Sequence, residues 1–60
     1  MTGAALKDAR RAAGLSRRAL ADRAGLHPDS VKYWEGKPRL DLRVHAPARM
    51  LKALGLDHLV

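Results

Sequence analysis

Glycine closes every helical pattern in this chain. Gly14, Gly25, Gly36 and Gly55 each follow a short stretch of apolar residues at helical spacing, which limits the chain to short helices that are stable only when packed on one another. From Ala4 to Ala13, Leu6, Ala9 and Ala13 fall at i, i+3 and i+7, with Lys7, Asp8 and Arg11 between them. Gly14 is placed to follow the end of this helix, and Leu15 to pack back over it. Ser16 then serves as an N-cap for a second helix with Leu20, Ala21 and Ala24 on its apolar side, stopped by Gly25. After the connection Leu26–His27, Pro28 suits the first position of a third helix, where its missing N–H costs nothing. Val31 and Trp34 point inward from that helix, and Gly36 with Pro38 closes it.

The stretch RLDLRVHA is ambiguous. Leu40, Leu42 and Val44 alternate with Asp41, Arg43 and His45 as in a strand, yet a lone strand has no partner in this sequence. An extended loop leading to a helix that opens at Pro47, or a helix already begun near Asp41, is equally compatible. Met50, Leu51 and Leu54 then share a face before Gly55, which predicts a fourth helix, and Asp57–Val60 could add one turn.

Sixty residues predict a single domain spanning 1–60, with no linker, repeat or low-complexity segment inside it. A domain of this size buries only about 60% of the surface its unfolded chain exposes. A core of this size rarely supplies more than about 3–5 kcal/mol, which invites oligomerisation. The absence of cysteine excludes disulfides and thiolate zinc sites and fits a reducing compartment. No signal-like or membrane-spanning apolar run occurs, so the chain is expected in the cytoplasm. Only Tyr33 and Trp34 are aromatic, and much of the apolar share is alanine, a composition suited to close helix packing.

Twelve Lys and Arg against six Asp and Glu give a net charge of +6, a large bias on so small a surface that favours a polyanionic partner. Its placement supports nucleic acid. Arg17 and Arg18 stand in the first turn of the second helix, where the macrodipole favours anions. A DNA phosphate would supply the missing charge there.

Two short helices joined through Gly25 suggest a helix-turn-helix over about residues 16–36, whose second helix enters the major groove. Leu20, Ala21, Ala24, Leu26, Val31 and Trp34 occupy its packing positions, with Ala21 small where the helices cross and Gly25 free to take a positive φ. In LKDARRAAGLSRRALADRAGL, SVKYWEGK and MLKALGL the chain resembles the Cro and phage-repressor (xenobiotic-response-element) family of DNA-binding proteins over about residues 6–56. That resemblance implies an all-α, lambda-repressor-like bundle of four to five helices and a transcriptional regulator of double-stranded DNA. A repressor that occludes a promoter as a homodimer on a palindromic operator is the form expected. Leu54, Leu56, Leu59, Val60 and the 40–44 stretch are the candidate dimer surface.

Carried over to this sequence, the resemblance makes 28–35 the recognition helix, with His27, Pro28, Asp29, Lys32 and Tyr33 toward the bases. It makes Arg17 a phosphate contact and pairs Arg10 with Glu35 as an internal ion pair. Lys32 can donate to guanine or to phosphate, and Tyr33 can donate to phosphate or pack on a thymine methyl. His27 is either a weak cap or a groove contact. Asp29 either accepts from cytosine or serves the helix dipole, the more common role of a first-turn acid. Pro28 departs from the family's polar residue and offers only shape or apolar contact. Gly36 follows Glu35 one residue earlier than is usual, which leaves the directions of Lys37, Arg39 and Arg43 open, with at least one of them expected near the DNA backbone.

Other chemistries find little support. His27, His45 and His58 lack ligand spacing, so no metal is expected, and no nucleophile, phosphate cradle or cofactor motif is present. The chain is expected not to be an enzyme or a membrane-surface binder. Two alternatives differ in class: an antitoxin-type interaction module that also binds DNA, and a winged helix like the excisionases or mercury-resistance regulators, which VKYWE resembles and which strands after residue 36 would favour.

Overall fold

The computed structural model describes residues 1–56, and these fold into four helices: α1 (Gly3–Ala12), α2 (Arg17–Ala24), α3 (Pro28–Glu35) and α4 (His45–Ala53). The architecture is all-α. No strand occurs among the described residues, so the chain from 37 to 56 does not form the wing of a winged helix. The turn expected at 57–60, with Leu59 and Val60, lies outside them.

Local chemistry sets the helix ends. Thr2 Oγ1 accepts from the Ala5 N–H at 3.0 Å and Ser16 Oγ from the Ala19 N–H at 3.0 Å, capping α1 and α2. Past α1, Gly14 has φ 73° and the Leu15 N–H returns to the Arg10 carbonyl at 3.1 Å. Gly25 ends α2 at φ 69°, and the Leu26 N–H reaches the Ala21 carbonyl at 2.8 Å, turning the chain sharply into α3.

α2 is the centre of the packing, in contact with both α3 and α4, while α1 packs against α3. Leu6, Leu20, Ala21, Val31 and Met50 meet in the interior with no exposed surface, and Leu40 and Ala24 complete the core. Burying a side chain such as Leu6 or Met50 stabilises by about 1.5–3 kcal/mol. Ala21 and Ala24 let α2 approach its neighbours closely.

Several expectations change or are decided. The buried face of α1 is Gly3, Leu6 and Arg10, and Ala13 is an exposed cap, because the Arg10 guanidinium finds internal partners. Trp34 is half-buried at the edge of the core rather than inside it, its ring meeting Tyr33 edge-on at 5.3 Å. The alternating stretch is a turn. Asp41 accepts the Arg43 N–H at its carboxylate and the Val44 N–H at its carbonyl, both at 3.0 Å, which sends Leu40 and Leu42 inward without a sheet. α4 therefore opens at His45, and Pro47 takes its third position, where the N–H has no helical partner to lose. With Leu40 in the core, that residue is unavailable as dimer surface.

The N-terminus is tied to the end of α3. The Gly3 N–H donates to the Lys37 carbonyl at 3.0 Å and the Leu40 N–H to the Met1 carbonyl at 2.8 Å. α1 starts so close to α3 that a Cβ at Gly3 would stand 2.5 Å from the Lys37 carbonyl oxygen and 2.6 Å from that of Glu35.

Candidate nucleic-acid interface

α3 is held by its inner face. Val31 is fully buried and Trp34 packs on the core, so Asp29, Lys32 and Tyr33, on other sides of the helix, are left exposed. Pro28 is half-buried at the first position. His27 is the N-cap: its Nδ1 accepts the Asp29 N–H at 3.1 Å. An accepting Nδ1 carries no proton, so the neutral ring bears it on Nε2, which remains a donor toward solvent. Asp29 is 88% exposed, with a carboxylate oxygen 3.6 Å from that Nδ1, and supplies the acid that the start of α3 favours.

Tyr33 and Lys37 come together. The Lys37 ammonium lies 4.4 Å from the centre of the Tyr33 ring while Trp34 meets that ring edge-on. The tyrosine is 56% exposed yet braced by two neighbours.

Behind α3 a single carboxylate joins three segments. Arg10 Nε donates to Glu35 Oε2 at 2.7 Å and Arg10 Nη2 to Oε1 at 3.4 Å, while Arg10 Nη1 donates to the Leu15 carbonyl at 2.8 Å. Both partners are withdrawn from water, with side chains 9% and 3% exposed. Arg17 adds a third arm, its Nε donating to Glu35 Oε1 at 3.1 Å, with 43% of its side chain exposed. Arg17 is thus an already engaged cation rather than the free one that its helix position predicts.

The other basic residues divide. Arg18, Lys32 and Arg39 are exposed. Arg43 is folded back on Asp41, with Nε 3.2 Å from Oδ1. The hydrogen bonds from the Arg43 side chain and N–H hold the Asp41 carboxyl below its ordinary value, and Asp41 in turn raises Arg43. Beside the attachment of Arg17, two further features carry no mark in the sequence. Gly3 has no motif to mark it. Arg49, on α4, donates to the Ala24 carbonyl at 3.5 Å and lines an open cleft with Arg23 and Lys52, a contact between elements distant in sequence.

Among the described residues no cluster of His, Cys, Asp and Glu could hold a metal ion, and no helix is long and apolar enough to cross a membrane. No curated protein and no solved structure matches the chain. A family model described as a helix-turn-helix domain matches residues 2–59, nearly the full sequence, in agreement with the Cro and phage-repressor likeness. Such domains are typically non-enzymatic and suggest a DNA-binding regulator. The α2–Gly25–α3 geometry and this match give one conclusion: the chain belongs to the helix-turn-helix domain family.

Proposed function

We propose that this chain, acting as one domain over residues 1–60, is a sequence-specific DNA-binding transcriptional regulator that represses by occluding a promoter. The observation that carries the reading is the division of α3: Val31 and Trp34 are committed to the fold, and Asp29, Lys32 and Tyr33 are turned out on a surface of a chain with net charge +6. Lys32 and Tyr33 are the base readers, and Arg17, Arg18 and Arg39 serve the backbone. Lys37 braces Tyr33, and Arg43, paired with Asp41, adds weaker attraction. His27, Pro28 and Asp29 shape the entry of α3 into the groove.

A homodimer on a palindromic site follows from the size of the reader. Eight residues of α3 span about 12 Å, which faces only three or four base pairs at about 3.4 Å each. Two such helices set about 34 Å apart double the sequence read. Val44, 39% exposed, with the half-buried Leu54 and Leu56, is the apolar surface available for pairing.

The test is the salt dependence of DNA binding. A protomer that neutralises about four or five phosphates gives a slope of log affinity against log salt near −4. Arg18→Ala flattens it by about one. Affinity indifferent to salt contradicts the reading.

A further inference from the structure

We infer that Glu35 is a positioning residue for DNA binding, acting through Arg17. The inference rests on the DNA-binding reading and on the three-armed contact behind α3. Glu35 cannot turn freely, because its side chain is 3% exposed and its Oε2 is held by Arg10 at 2.7 Å. The Oε1 that accepts from Arg17 Nε at 3.1 Å is therefore a fixed point.

A guanidinium is planar and rigid, so holding Nε on Glu35 restricts where its terminal nitrogens can lie. The two terminal nitrogens form a second donor edge that this bond leaves unused, on a side chain that is 43% exposed. That edge is the one that grips a phosphate with two parallel N–H donors. Arg10 satisfies the carboxylate, so Arg17 brings surplus positive charge: two guanidinium groups share one carboxylate. The same carboxylate sits on the last residue of α3, and a phosphate bound by Arg17 is thereby placed in register with the recognition helix.

Lysine at position 17 separates this from simple attraction. One ammonium can approach Glu35 or a phosphate but has no rigid second edge, so Arg17→Lys should lose about tenfold in affinity for a selected DNA site, nearly as much as Arg17→Ala. Both variants leave Arg10 and Glu35 in place, so folding is preserved and is checked by circular dichroism. In the wild-type chain, the Arg17 Nε–H resonance should keep the shift and slow exchange of a hydrogen-bonded group when DNA is added.

Wild-type affinity in Arg17→Lys overturns the inference while leaving the DNA-binding reading intact. Release of the Nε–H on DNA binding also overturns it, because Glu35 would then compete with phosphate. A wild-type chain that binds no duplex overturns both.

Discussion

Arg10 and Glu35 meet at 2.7 Å with almost no access to water, joining α1 to the last residue of α3. A buried ion pair of this kind adds little net stability over an apolar pair, but removing one partner strands the other charge.

Glu35→Ala should therefore cost about 3–5 kcal/mol, comparable to the whole stability of a domain this small. Urea denaturation followed by Trp34 fluorescence should find it largely unfolded at room temperature. Arg17→Ala removes only the half-exposed arm and should cost less than about 1 kcal/mol. The double variant Arg10→Met, Glu35→Met should recover most of the loss. Equal effects for Glu35→Ala and Arg17→Ala would contradict the buried-charge account.

Two glycines should respond oppositely to the same substitution. A Cβ at Gly3 meets the carbonyl oxygens of Trp34, Glu35 and Lys37, so Gly3→Ala must push α1 off α3, at about 1–3 kcal/mol. Gly36 has φ −84°, and its Cβ would lie 3.5 Å from the nearest atom, the Tyr33 carbonyl oxygen. Gly36→Ala should stabilise by about 0.4–1 kcal/mol through the unfolded state. Thermal unfolding of the two variants checks the ordering.

The turn at 41–44 should open in acid. The Arg43 side chain and N–H favour the charged Asp41 carboxylate, whose folded value lies below the ordinary 3.8. The turn's contribution is then complete above about pH 4 and lost as pH falls through that lowered value. An NMR titration should show the Asp41 carboxyl and the Arg43 amide moving together, below 3.8. A midpoint at or above it would contradict the contact.

Much of this was legible because it is local. Ser16, Gly25 and Pro28 act on their own neighbours, and each appears where its backbone chemistry puts it: cap, left-handed turn and first helical residue. The outward set on α3 was legible for the same reason, once Val31 and Trp34 fixed the inner face. What the sequence hid depends on partners far along the chain. Arg10 belongs to the buried face of α1 only because Glu35 and the Leu15 carbonyl receive it, and hydropathy assigns an arginine to solvent. The family likeness supplied that pairing, but not the attachment of Arg17. Gly3 looked like an ordinary N-terminal residue until the end of α3 crossed it. Leu40, Leu42 and Val44 alternate like a strand, and only the Asp41 turn shows how Leu40 reaches the core.

The central claim, that α3 reads DNA sequence, is tested most directly by selecting binding sites from random duplex DNA with the 60-residue chain. The account predicts an enriched palindrome with half-sites of three or four base pairs centred about one helical turn apart, and a changed half-site when the selection is repeated with Lys32→Ala. Recovery of unselected sequence, with binding that depends on length and salt alone, would contradict it.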